Sequence, residues 1–116
     1  MADPTVINIV RQYLRNLAQQ GILARMGVLF GSYATSHPGR WSDIDLLVVS
    51  PAFDGAFSQD AIDSLWYVAA RTDSRIEPIP WGERQWVEDD VAPIIEVARR
   101  QGVQVLADGD PGGATP

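Results

Sequence analysis

Two carboxylates, two residues apart, are the side chains of this sequence whose types and spacing most directly suggest chemistry. Asp43 and Asp45 open an apolar run, residues 46–49. Because alternate side chains of a strand share a face, we expect Asp43 and Asp45 to point the same way and Ile44 the opposite way. Like charges on one face repel each other, and a divalent cation between them removes the repulsion. The pair therefore predicts a site for Mg²⁺ or Mn²⁺, which favour carboxylate oxygens.

A Gly-Ser turn precedes this pair, with ten residues between Ser32 and Asp43. Gly31 has no Cβ, so a ligand can approach its backbone closely, and the exposed N–H groups with the Ser32 hydroxyl suit a phosphate. Ser32 is also a favoured helix N-cap residue, and a helix N-terminus itself attracts anions. We assign Gly31 and Ser32 to nucleotide binding. A simple turn and helix cap is the alternative, and it is compatible with that role.

At this spacing the segment resembles the nucleotidyltransferase superfamily of DNA polymerase beta, most closely its minimal single-domain bacterial members. Their signature is Gly-Ser, a spacer near ten residues and Asp-x-Asp, and the resemblance covers about residues 22–107. Residues 74–80 are similar to the later strand that carries a third carboxylate, and the resemblance implies that Glu77 is the third ligand in place of the more usual Asp. The alternative for Glu77 is a surface carboxylate paired with Arg75 or Arg84.

The resemblance implies a metal-dependent nucleotidyltransferase that moves a nucleoside monophosphate from a nucleoside triphosphate, with ATP expected, to a hydroxyl. Asp43, Asp45 and Glu77 would be the catalytic and metal-binding residues, and Gly31 and Ser32 would grip the phosphates. Minimal members of the family resemble antitoxins that adenylylate a separate HEPN-type helical protein. The resemblance therefore implies a protein partner as the acceptor.

The sequence departs from the family at one position near the turn. Many minimal members continue Gly-Ser-x-Ala with Arg or Lys, but this chain has Thr35 there. Arg40, which we assign to nucleotide binding, or Arg71 would have to supply the missing positive charge. The departure favours a second hypothesis, a catalytically weak module that binds nucleotide and partner. A regulatory magnesium–nucleotide sensor is the third. The base preference, the acceptor atom and homo-oligomer formation are left open.

The single histidine and the four tryptophans are weaker candidates. His37 has the sequence surroundings of a solvated loop residue rather than a catalytic one. Trp41, beside the motif, suits either base stacking or partner contact. The same two alternatives apply to Trp81 and Trp86, which flank a predicted Gly-Glu-Arg-Gln loop. Trp66 is expected in the core.

Length and composition limit the other classes of protein to which this sequence could belong. A chain of 116 residues fits one domain, which we place at residues 1–107 with a flexible tail at 108–116. The net charge of −6, with nine arginines and no lysine, argues against nonspecific nucleic-acid binding and against a P-loop lysine. Cysteine is absent, and no apolar stretch is long enough to span a membrane. We therefore expect a cytoplasmic protein.

Hydrophobic periodicity predicts an α/β fold, classed as α+β in some schemes, with helices packed on a small mixed β-sheet. Prolines in residues 75–80 predict an edge or short strand there, whereas the apolar run at 46–49 predicts a central strand covered on both faces. The predicted elements, in chain order, are a helix at 4–20, strands at 25–30 and 43–49, a helix at 59–72, a strand at 75–80, a helix from residue 89 or 90 to Gly102, and a strand at 103–107.

Overall fold

The structure, a computed structural model, describes residues 4–30, 43–55, 58–88 and 102–107. Its elements are α1 (Pro4–Gln19), β1 (Met26–Phe30), β2 (Ile44–Ser50), a 3₁₀ turn (Pro51–Phe53), α2 (Gln59–Thr72), β3 (Ile76–Gly82), α3 (Glu83–Glu88) and β4 (Val103–Val105). The helix at 59–72 has the predicted bounds. The predicted helix after residue 88 and the predicted tail lie outside the described residues.

The four strands form one mixed sheet in the order β3-β2-β1-β4. β1 is antiparallel to β2 and β4, whereas β2 is parallel to β3. Every residue of β2 except Asp45 is buried, so β2 is covered on both faces as its continuous apolar run predicted. β3 lies at the edge of the sheet. Pro78 and Pro80 have no N–H to donate, and an edge strand tolerates this because it has a neighbouring strand on one side only. The α/β fold class is confirmed.

Helices α1 and α2 cover one face of the sheet and form the main core. Val10, Leu14 and Leu17 of α1 are buried at helical spacing, and Leu65, Val68 and Ala69 of α2 are buried with them against the sheet. Gly21 follows α1 with a φ of +91°, a left-handed conformation that ends helices and favours glycine. Ser58 caps α2 by accepting a hydrogen bond from the Ala61 N–H.

The opposite face of the sheet carries a second, smaller apolar cluster. Met26, Val28, Leu47 and Val49 are its buried members. Phe30, Ile79, Trp81, Trp86 and Leu106 pack against it while partly buried. Alternate residues of a strand share a face. Asp45 is two residues before Leu47 and Glu77 is two residues before Ile79, so both acids lie on this second face of the sheet.

Two expectations about tryptophan surroundings were wrong. Trp66 is 48% exposed, because each helical residue advances about 100° and Trp66 therefore lies beside the buried arc that Leu65, Val68 and Ala69 form. The segment between Trp81 and Trp86 is not a loop, since α3 begins at Glu83, directly after β3.

Within the described ranges, no helix combines the length and the apolar character that a membrane crossing requires.

Candidate functional site

Two of the predicted carboxylates face each other across the parallel strand pair. Asp45 of β2 and Glu77 of β3 are Cα partners, one position after the partners Ile44 and Ile76 that open the two strands. Both carboxylates are half-buried, whereas the alternating residues Ile44 and Ile76 are buried in the main core. Two-residue alternation thus places both acids on the second face of the sheet, at the end where both strands begin.

Asp43 completes this group from the residue before β2. Its exposed side chain shares a hydrogen bond with the Glu77 carboxyl group. The Ile44 N–H donates to the Arg75 carbonyl oxygen at 2.8 Å, which ties the start of β2 to the start of β3. The structure therefore brings Asp43, Asp45 and Glu77 together at one end of the strand pair.

The closeness of these acids makes their ionised forms unfavourable in the absence of a cation. The hydrogen bond with Asp43, partial burial and the negative charges of Asp43 and Asp45 raise the pKa of Glu77 above its ordinary value. Partial burial and the charge of Asp43 raise the pKa of Asp45 in the same direction. A bound cation would favour the ionised forms and would lower both pKa values again.

An ion pair that the sequence did not reveal fixes the entry to β3. One Asp73 carboxylate oxygen accepts from the Arg75 N–H at 2.9 Å and from its Nε at 3.1 Å, and the other accepts from Nη2 at 2.9 Å. These bonds lower the pKa of Asp73. The pair holds the turn two residues before Glu77. The spacing Asp-x-Arg before a strand was the available signal, since Asp side chains bond backbone two residues on.

The donor chemistry of this group suits a hard divalent cation, since the three side chains offer carboxylate oxygens and their mutual repulsion would be relieved by positive charge. In the described ranges, however, no three His, Cys, Asp or Glu side chains are gathered as a metal-ligand set. The carboxyl groups instead share a hydrogen bond. The residues fit the metal by donor type, and their ligand geometry stays a prediction.

Other predicted site residues lie elsewhere. Gly31, Ser32 and Arg40 fall outside the described residues, as do His37 and Trp41. Arg71, the second candidate for the missing positive charge, lies on α2, where its guanidinium carbon is 5.4 Å from the centroid of the Tyr67 ring. Trp81 and Trp86 are partly buried against the second apolar cluster.

Comparison with protein families places most of this chain in a known family. The sequence profile described as the nucleotidyltransferase domain matches residues 8–105, which include the sheet and all three carboxylates. Among curated proteins, none matches this sequence significantly.

Solved structures share the fold. A toxin–antitoxin crystal structure with AMP-PNP aligns with a TM-score of 0.54 and 22% identity over 81% of this chain and 70% of the other. A candidate nucleotidyltransferase from Sulfolobus solfataricus aligns with a TM-score of 0.54 and 17% identity over 84% of this chain and 77% of the other. At these identities the likeness concerns the fold alone.

Proposed function

Because this chain belongs to the nucleotidyltransferase domain family, we propose that it transfers a nucleoside monophosphate from a nucleoside triphosphate, with ATP as the expected donor, to a hydroxyl group. The observation that carries the proposal is the pairing of Asp45 with Glu77 across β2 and β3, with Asp43 hydrogen-bonded to Glu77. Carboxylates this close together repel each other and destabilise the fold. The same concentration of negative charge attracts a cation, which a triphosphate needs for binding.

Asp43, Asp45 and Glu77 would hold Mg²⁺ or Mn²⁺. Such an ion, when bound, offsets phosphate charge and makes a hydroxyl more acidic. Because the ionised carboxylates are the ligands and the pKa values of Asp45 and Glu77 are raised, metal affinity should increase as pH rises through those pKa values. The ion pair of Asp73 with Arg75 keeps the start of β3 in place, and with it the position of Glu77 relative to Asp43.

In the proposed transfer, the acceptor oxygen forms a bond to the α-phosphorus of the nucleotide. The bond from that phosphorus to the oxygen bridging to the β-phosphate breaks, pyrophosphate leaves, and the hydroxyl proton passes to solvent. Gly31 and Ser32 would bind the leaving phosphates through backbone N–H groups and a hydroxyl, and Arg40 would add a positive charge. Holding acceptor and nucleotide in line supplies most of the rate.

We further propose that the acceptor belongs to a HEPN-type partner protein in the cytoplasm. The toxin–antitoxin neighbour with a nucleotide analogue supports this assignment, although its likeness to this chain is one of fold. A chain without cysteine is suited to a reducing compartment. The isolated domain should then bind ATP but transfer little to small hydroxyl compounds, since only one of the two reactants is placed.

Calorimetry with ATP and Mg²⁺ tests the binding half of this proposal. Asp43→Asn and Asp45→Asn should weaken binding strongly, whereas the matched control Asp60→Asn, an exposed carboxylate in the first turn of α2, should bind like the wild type. Equal binding by the wild type and Asp43→Asn would remove Asp43 from the site. Intact-mass spectrometry of the domain mixed with its partner tests the transfer half, through a mass gain of one nucleoside monophosphate on the partner.

A second function, nucleotide and partner binding without turnover, is favoured by one observation. Thr35 stands where many minimal members have a basic residue. A binding module would show the same dependence of ATP affinity on Asp43 and Asp45, but it would leave the partner's mass unchanged. Mass spectrometry therefore separates the two functions, and calorimetry alone does not.

A further inference from the structure

Two neighbouring aromatic side chains are exposed on α2. Trp66 is 48% exposed and Tyr67 is 56% exposed, whereas Leu65, Val68 and Ala69 on the other side of the helix are buried. The remaining exposed large hydrophobic residues of the described ranges lie away from α2, Leu23 between α1 and β1 and Val87 on α3. Adjacent exposed aromatics on one helix face are typical of an interaction surface.

Charges are arranged symmetrically around this aromatic centre. Asp63 comes four residues before Tyr67, and Arg71 comes four residues after it. Residues four apart lie on the same side of a helix, so one exposed face carries a negative end, an aromatic centre and a positive end. We call this face, made of Asp63, Trp66, Tyr67, Ala70 and Arg71, the α2 face. The Arg71 guanidinium carbon is 5.4 Å from the Tyr67 ring centroid, so its charge is held on that face.

We propose that the α2 face binds the α2 face of a second copy of this chain, with the two helices antiparallel and the two-fold axis beside Tyr67. A two-fold interface must be complementary to itself. With the axis beside Tyr67, Asp63 of each copy lies across from Arg71 of the other, which gives two ion pairs around an aromatic centre. The same face in a parallel arrangement would set Asp63 against Asp63 and Arg71 against Arg71.

The dimer should be weak and should leave the carboxylates accessible. α2 has 14 residues, so one helix pair is about 21 Å long and covers less area than a standard stable interface. α2 packs on the sheet face opposite to that of Asp45 and Glu77. The proposal therefore does not depend on nucleotide transfer, and the dimer variants Asp63→Arg and Tyr67→Glu should keep wild-type ATP affinity.

Sedimentation velocity of the full chain, from about 1 µM to about 1 mM, tests the proposal. The wild type should shift from monomer to dimer with concentration, and more so at low salt. Asp63→Arg and Arg71→Asp should each weaken self-association by roughly tenfold or more, because each sets like charges against each other twice. An equimolar mixture of these two variants should associate, because each positive pair then meets a negative pair, and the double swap in one chain should also restore the dimer.

Arg84→Asp, the same charge change at an exposed residue of α3, is the control and should dimerise like the wild type. Tyr67→Glu should be folded by circular dichroism and monomeric by sedimentation. This variant keeps the test valid if a charge variant unfolds. A wild type that stays monomeric throughout would overturn the proposal. So would a dimer that Tyr67→Glu leaves intact, or variants that fail to associate when mixed.

Discussion

Asp45 and Glu77 are direct partners across the parallel strands β2 and β3, on the sheet face opposite to α1 and α2. Acids placed directly across from each other destabilise a sheet. Asp43 adds a third carboxyl group that is hydrogen-bonded to Glu77. The fold thus keeps a locally unfavourable group of acids at one end of the β2–β3 strand pair, which supports a functional role for that group.

Glu77→Gln should make the metal-free protein more stable at neutral pH, by roughly 0.2–1 kcal/mol, because it removes one of the opposed acids. The ordinary pKa values are 3.8 for Asp45 and 4.5 for Glu77, and both are raised in the folded protein. The folded state then binds protons more tightly, so the free energy of unfolding of the wild type should fall as pH rises from about 4 through the raised pKa values. Urea denaturation between pH 4 and pH 8 measures this slope, which should be flatter in Glu77→Gln.

Asp73→Asn is the matched comparison, with the opposite sign. Arg75 lowers the pKa of Asp73 below its ordinary value of 3.8, so this group stabilises the fold above that pH and loses its contribution as pH falls through the folded pKa. Asp73→Asn should therefore destabilise the protein at pH 7, by about 1 kcal/mol. If Glu77→Gln and Asp73→Asn change neutral-pH stability in the same direction, the electrostatic description of this end of the sheet is wrong.

Tyr13→Phe should weaken the packing of α1 on α2. The buried Tyr13 hydroxyl donates to the Leu65 carbonyl oxygen at 2.9 Å, and the substitution removes that bond with little change in volume. The free energy of unfolding should fall by about 0.5–1.5 kcal/mol in chemical denaturation. Tyr67→Phe, which removes an exposed hydroxyl from α2, is the control and should leave stability unchanged. An equal loss in both variants would mean that the buried bond contributes nothing.

Ser32→Ala should lower ATP affinity by roughly ten- to a hundredfold, since a hydrogen bond to a charged group contributes about 1.5–3 kcal/mol. Gly31→Val should lower it further, because a branched side chain blocks the approach of phosphate to the backbone. Calorimetric titration with ATP and Mg²⁺ measures both effects. Unchanged affinity in both variants would place the triphosphate away from the Gly-Ser turn.

The sequence predicted the sheet better than it predicted the helix surfaces. The continuous apolar run of β2 predicted a central strand, and the two prolines of β3 predicted an edge or short strand. In the structure β2 lies inside the sheet and β3 lies at its edge. A parallel β2–β3 pair then brings Asp45 and Glu77 into register. Hydrophobic periodicity did not show which side of α2 is buried. Trp66, next to Leu65, counts as apolar in the pattern although its side chain is exposed.

Long-range side-chain bonds were beyond sequence reasoning. Tyr13 and Leu65 are 52 residues apart, and only the packing of α1 on α2 brings the hydroxyl to that carbonyl. Ser50 ends β2 as a buried polar residue whose hydroxyl donates to the Leu23 carbonyl oxygen at 2.8 Å. Neither contact has a local pattern. The short helix α3 was missed because Gly82 and the charged residues after it are also typical of a turn.

The fate of the two ends of ATP tests the central claim most directly. The domain is incubated with Mg²⁺, a HEPN-type partner and ATP labelled either at the α-phosphate or at the γ-phosphate. Nucleotidyl transfer predicts that the α-label appears on the partner and the γ-label in free pyrophosphate, both lost in Asp45→Asn and both kept in the control Asp60→Asn. A γ-label on the acceptor, or an α-label that stays entirely in free nucleotide while ATP binds at saturation, would contradict the account.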